Sequence, residues 1–195
     1  ISPQSVWNKQ GADIVRAGVA STDFRNEMNF SEEILERTSD SYRRIRNTVR
    51  FLISNLNDFD YQKDNLNSSE FTEIDKWIVD KANTLQSQIK LDFENYEVHL
   101  AFQKILSFCT NELGSFYLDI VKDRLYTSKK DGAARKSAQH AIFHVLNGLI
   151  RWIAPILSYT AEEAYQELNK DSSSIFLLEW YENWPEFECS INDET

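Results

Sequence analysis

Only five glycines and three prolines interrupt 195 residues, so the chain has few places to turn sharply and is built for long helices rather than a turn-rich sheet. Apolar residues confirm that constraint by their spacing. Ser31 offers an N-cap, with Glu32 and Glu33 in the following turn, where a helix dipole favours acids. From there Ile34, Leu35, Tyr42, Ile45, Val49, Leu52, Ile53 and Leu56 keep helical phase up to the Asn57-Asp58 cluster, and residues 58–70 read as a solvated loop. A second long helix is expected from Thr72, carrying Ile74, Trp77, Ile78, Ala82, Leu85 and Ile89. A third is expected from Glu94, with Val98, Phe102, Leu106, Cys109, Leu113, Phe116, Tyr117 and Ile120 in register. Gly114 falls inside it; the apolar phase survives, which predicts one bent helix with a kink there. After a loop at 127–132, a fourth helix holds Ile142, Val145, Leu146, Leu149, Ile150 and Ile153. Pro155 marks a bend, and Thr160 with Glu163 predicts a capping box for a fifth helix ending near Asn169. A short helix over 12–20 precedes all of these, and 174–180 is an apolar run of strand length. The expectation is an all-α fold: an antiparallel bundle of about five helices with a short irregular or strand-like C-terminal segment.

Hydrophobic residues make up 42 % of the chain, enough for a core and too many for disorder. No apolar stretch reaches the roughly 18–20 residues of a membrane span. The opening Ile1-Ser2-Pro3-Gln4 has neither the charged front nor the apolar run of a signal peptide. It also lacks an initiator Met, so the chain is expected to begin mid-protein, in the cytoplasm. Cys109 and Cys189 fit neither metal-ligand spacing nor a disulfide framework; one reads as a buried apolar residue, the other as an exposed bystander.

Catalytic patterns are missing: no glycine-rich phosphate loop, nucleophile elbow or zinc-protease motif is present. His140 and His144 share a helix face, but Ala141-Ile142-Phe143 between them supplies no base and no third ligand is evident, so a surface or packing role is the reading and no metal site is expected. Trp152 and Tyr117 sit in apolar helical stretches and read as core.

Charge is the remaining signal. The net charge is −10, but residues 161–195 hold ten acids and one lysine, a net of −9, leaving the preceding body near −1. Within it, residues 37–50 carry five Arg against one Asp, and residues 122–136 carry six basic residues against two Asp. Screening limits exposed charges to a reach of roughly 10 Å, so local patches matter more to a polyanion than the total. Arg43, Arg46 and Arg50 form a row beside the apolar face of their helix, with Arg44 pointing elsewhere. A second supply is Lys122, Arg124, Lys129, Lys130, Arg135 and Lys136, with Tyr126 among them. Guanidinium forks suit phosphates, and a tyrosine face suits an unstacked base. These eleven residues are the candidate RNA-binding set. The competing use is internal: some of these cations can lock helices together by pairing with Asp119, Asp123 or Glu112.

Several blocks resemble one family in the right order. They are Gly11-Ala12-Asp13-Ile14-Val15-Arg16; Val19 through Met28 (Val-Ala-Ser-Thr-Asp-Phe-Arg-Asn-Glu-Met); Ser31 through Leu35; Tyr42 through Leu52 (Tyr-Arg-Arg-Ile-Arg-Asn-Thr-Val-Arg-Phe-Leu); Glu112 through Tyr126; and Ala154-Pro155-Ile156-Leu157-Ser158 with Thr160-Ala161-Glu162-Glu163. Together they resemble the segment that follows the catalytic core of isoleucyl-tRNA synthetases, over about residues 1–185. Valyl and leucyl relatives share the bundle and the Ala-Pro…Thr-Ala-Glu-Glu ending.

The resemblance implies an anticodon-binding domain of a class I aminoacyl-tRNA synthetase, an ATP-dependent ligase of protein biosynthesis. Its partners would be tRNA(Ile) and the missing catalytic domain of the same chain, with no membrane and no DNA. ATP, magnesium and zinc are implied for the parent enzyme and none for this segment, which lacks catalytic residues and should be inactive alone. The implied division is 1–30 as a lead-in from the catalytic core, 31–169 as the bundle, and 170–195 as an acidic tail leading to a missing C-terminal module. Where the family usually has a bulky Leu-Trp pair, this chain has Ala17-Gly18; the expectation is that this face lies against the catalytic domain and that the small pair keeps an exposed junction soluble. Two other readings stay open: the equivalent domain of a valyl-tRNA synthetase, or a helical protein-interaction module without RNA affinity, using the acidic tail and Trp180, Tyr181 and Trp184.

Overall fold

The computed structural model describes residues 2–26, 31–64, 66–169 and 173–187; Cys189 and the ends of the acidic tail lie outside them. Helices α1 (Pro3–Gln10), α2 (Ala12–Ala20), α3 (Glu32–Ser54), α4 (Glu73–Glu94), α5 (Val98–Phe108), α6 (Leu118–Thr127), α7 (Ala133–Ile153) and α8 (Ser158–Asn169) account for most of the chain. No strand is present among the described residues, and the fold is an all-α bundle. α1 has no counterpart in the sequence expectation, because only Val6 on it is buried and adjacent Val6 and Trp7 leave no periodic signal. The stretch read as strand-like is a 3-10 turn at Ile175–Leu177 followed by extended chain.

Local chemistry explains the helix ends. Ser31 Oγ accepts from Ile34 N at 3.2 Å, the N-cap that the sequence predicts. α4 runs to Glu94, and the third helix begins at Val98 rather than Glu94, because a tight closure intervenes. Glu97 N donates to Asp92 O at 2.7 Å and Tyr96 N to Phe93 O at 3.1 Å, the bond pair of a Schellman motif. Tyr96 takes the left-handed position with φ 59°, where glycine is the usual occupant.

α5 passes into α6 without a break through a π-helical segment, Cys109–Tyr117, so the expected single bent helix is present and its irregularity has a definite form. Gly114 permits it: a Cβ there would stand 2.8 Å from Cys109 O. Widening to a π turn inserts one residue while keeping Leu113 and Tyr117 on the core side, both 0 % exposed.

α7 is the central rod. Ile142, Val145, Leu146, Leu149, Ile150 and Trp152 are all fully buried, packed by α4 on one side and α3, α6 and α8 around it. At the N-terminal end of α4, Asp75 is 0 % exposed and accepts from four side chains. Thr72 Oγ1 donates at 2.6 Å, Tyr117 OH at 2.7 Å and Arg124 Nη1 at 3.2 Å, with Ser137 Oγ as the fourth donor. One carboxylate thus joins α4, the π segment, α6 and α7. Burial, with the neighbouring Asp75 charge, pushes the Tyr117 hydroxyl pKa well above its ordinary value, so it donates throughout the useful pH range.

Residues 173–187 return along α4 and α7 as a strap. Trp152 Nε1 donates to Gln86 Oε1 at 2.9 Å, and Gln86 Nε2 donates to Tyr181 O at 2.7 Å. The Trp184 ring lies so close to Gly148 that a Cβ there would meet it at 2.7 Å. Tyr181 is buried, and Trp180 and Trp184 pack on the core, which removes the aromatic surface invoked by the protein-interaction reading; Phe176, Leu177 and Leu178 are exposed instead.

Ala17 is fully buried in the core and Gly18 is buried on α2. The idea that this small pair keeps an exposed junction soluble therefore fails. His140 and His144 are both 3 % exposed and serve packing: His140 Nε2 meets Asp64 O, and His144 Nδ1 lies 2.7 Å from Tyr181 OH. Among the described residues no three His, Cys, Asp or Glu gather into a metal site.

Tyr96→Gly should stabilise the chain by about 0.5–1 kcal/mol, read as a higher urea midpoint with unchanged m-value. Burial, and secondarily the His140 charge, lowers the His144 pKa to about 4. The unfolded chain takes up that proton near pH 6.5 and the folded chain does not until near 4, so stability should fall as pH drops through this window. His144→Phe should flatten the pH dependence of Tm between pH 7 and 5; an unaltered slope would show that His144 does not set it.

Candidate nucleic-acid interface

The candidate cations divide by what they touch. Arg124 is committed to the interior: its guanidinium meets Asp75 at 3.2 Å and Thr72 Oγ1 at 3.1 Å. The expected internal partners were Asp119, Asp123 and Glu112, all near it in sequence; the actual partner sits on α4, a long-range contact that spacing cannot reveal. Arg135 pairs with Asp58 at 3.0 Å and donates to Leu125 O at 3.2 Å, tying the start of α7 to the ends of α3 and α6. Lys136 pairs with Asp64 at 3.2 Å. As phosphate contacts Arg124 and Arg135 are poorly placed, since recruiting either would break the scaffold.

Two further pairs lie on the surface and bind their cations weakly. Arg43 meets Asp40 at 2.7 Å and Lys122 meets Asp119 at 2.5 Å, each one helical turn apart with both partners well exposed. Such pairs are worth about 0–1 kcal/mol and exchange readily for a phosphate.

Arg44, Arg46, Arg50, Lys129 and Lys130 make no ion pair among the described residues. Lys129 and Lys130 stand exposed at the turn between α6 and α7, close in sequence to Tyr126, which is 67 % exposed. Arg44 is exposed on α3. Arg46 and Arg50 line a groove of about 250 Å³ between α3 and α8, with Val49, Ile53 and Thr160, and with Glu163 and Glu167 on the opposite wall. The row Arg43, Arg46, Arg50 is therefore not uniformly cationic in its setting: two acids of α8 face its second half. The structure brings Tyr126, Lys129 and Lys130 to one end and the arginines to the α3 surface.

Two residues with structural reach carry no role in the sequence reading. Asp13 is 5 % exposed and Arg16 lies one turn further along α2, both within the Gly11–Arg16 block. An Asp inside a short helix otherwise rich in apolar residues is the one signal that marks this position.

The family model described as "Anticodon-binding domain of tRNA ligase" matches residues 75–195. Among curated relatives, the isoleucine–tRNA ligase of Shewanella sp. (strain MR-4) is 51 % identical over 184 residues, covering 94 % of this chain and 20 % of the relative. That of Yersinia pestis (strain Pestoides F) is 50 % identical over 183 residues, covering 93 % and 20 %. The chain thus spans about a fifth of the length of these relatives. Among solved structures, the agnB2 LeuRS of Agrobacterium radiobacter K84, in a ternary complex with tRNA and LeuAMS, shares the fold with a TM-score of 0.66 at 16 % identity, over 96 % of this chain and 21 % of that one. An all-α bundle centred on α7, matched over most of its length by that family model, means that the chain belongs to the anticodon-binding domains of tRNA ligases.

Proposed function

We propose that this chain binds tRNA(Ile) on its anticodon side within a cytoplasmic isoleucine–tRNA ligase. The observation that carries the reading is the set of five cations without ion pairs among the described residues, held out by a fold of the anticodon-binding family. Identity of about half to isoleucine–tRNA ligases supports isoleucine over valine as the cognate amino acid. ATP and metal ions belong to the remaining four-fifths of such an enzyme. Here the contribution is binding energy and orientation: an anticodon held on α3 and the α6–α7 turn keeps a distant acceptor end in place. Arg44, Arg46, Arg50, Lys129 and Lys130 engage phosphates, Tyr126 stacks on a base, and Arg43 and Lys122 join by exchanging their surface acids. The parent's other contact is its own catalytic domain.

The test is an anisotropy titration of the 195-residue chain with isoleucine- and valine-accepting tRNAs at two salt concentrations. Affinity should favour the isoleucine acceptor and fall with salt. Lys129→Ala with Lys130→Ala should weaken binding and flatten the log–log salt slope by about one unit per lysine, with Tm unchanged. Arg124→Ala, in contrast, strands buried Asp75 and should cost about 3 kcal/mol of stability. No tRNA affinity at low salt would overturn the proposal, and an unchanged slope would remove Lys129 and Lys130 from the interface.

A further inference from the structure

α7 ends at Ile153 and α8 starts at Ser158, with Pro155 between them. A break of this kind leaves carbonyls at the end of one helix and amides at the start of the next in need of partners. One face of α2 supplies both. Asp13 Oδ2 accepts from Thr160 N at 2.8 Å and from Thr160 Oγ1 at 2.6 Å, while Oδ1 accepts from Tyr159 N at 3.3 Å. Arg16 donates from Nε to Ile156 O and from Nη2 to Pro155 O, each at 2.8 Å. The charges also suit the two dipoles, a carboxylate at the start of α8 and a guanidinium on the carbonyls that follow α7. Asp13 replaces the capping box expected from Thr160 and Glu163: Thr160 lies inside the first turn of α8, and its amide is satisfied from another helix.

Thr160 carries the connection onward. Its Oγ1 is 3.1 Å from Tyr42 OH on α3, and the same residue lines the groove that holds Arg46, Arg50, Glu163 and Glu167. The acids of α8 face the arginines of α3 without an ion pair between them. Ion pairs across this groove would withdraw both arginines from RNA.

We propose that Asp13 and Arg16 are positioning residues for the RNA-facing surface: by seating the first turn of α8, they hold Glu163 and Glu167 off Arg46 and Arg50 and keep those guanidiniums available to phosphate. This rests on the RNA-binding reading above. It makes α2 a regulator of charge on α3, although α2 contributes no cation to the candidate RNA-binding set.

Asp13→Asn keeps the shape of the side chain and removes its charge. It should weaken tRNA binding about fivefold, within the range of coupling carried by residues that do not touch the ligand. The combination Glu163→Gln with Glu167→Gln should restore that affinity in the Asp13→Asn background, because neutral side chains cannot capture the arginines. Arg16→Gln should behave as Asp13→Asn does, and thermal unfolding of each variant confirms a folded chain. Loss of affinity without rescue would overturn the positioning role and leave only a general stability effect, and unchanged affinity in both variants would overturn it outright. A second readout is independent of RNA: the Nε–H resonances of Arg46 and Arg50 in the free chain should move on Asp13→Asn and return with the two glutamines. If the wild-type chain bound no tRNA but these resonances responded, the RNA reading would fall and the brace would stand.

Discussion

Asp75 is the contact on which the arrangement of the bundle depends. A fully buried carboxylate is costly unless every lone pair is used, and here donors arrive from α4, the π segment, α6 and α7. Apolar stripes alone leave rods free to slide or rotate by a few ångströms, since many registers bury similar area. A carboxylate that must collect Tyr117, Arg124, Thr72 and Ser137 at once admits only one register. The π segment belongs to the same constraint: it is the local distortion that lets Tyr117 face Asp75 while Leu113 still faces the core.

Periodic features were legible in the sequence, and convergent ones were not. The stripes on α3, α4 and α7, the cap at Ser31 and the irregularity at Gly114 all follow from residues within one or two turns of each other. The turn at Asn95–Glu97 was hidden because tyrosine occupies a position where glycine would have announced it. Ala17 and Gly18 misled for a related reason: small residues at an apparent junction read as surface, whereas they let α2 approach the core closely. The strap was hidden because Tyr181 and Trp184 have no helical or strand period, and their burial depends on Gln86, His144 and Gly148 far along the chain.

The same distinction explains the candidate site. Clusters of Arg and Lys are visible in any sequence, yet which of them are free is a property of their counter-charges. Asp58, Asp64 and Asp75 each take one cation from the basic run at 122–136, and two of the three come from the Asp-rich loop that seemed merely solvated. What survives is a smaller and more dispersed cationic surface than composition implies, with Lys129 and Lys130 at one end and three arginines along α3.

That reduction has a consequence for how such a surface works. Each phosphate neutralised contributes about 0.7–0.9 to the salt slope of binding, so a surface with few free cations has a shallow salt dependence and little electrostatic affinity to begin with. Strong non-specific attraction is also suppressed by the acids that crowd the rest of the chain, which is net −10. On the RNA-binding proposal, affinity must then come from geometry: several weak contacts held at fixed separations on a rigid frame. The buried networks at Asp75 and Asp13 supply that rigidity from residues that need never touch RNA. Acidity in the interior and weak, well-placed basicity at the surface are here two parts of one design, because Asp75, which consumes Arg124, also joins α6 to α7, the helices that flank Lys129 and Lys130.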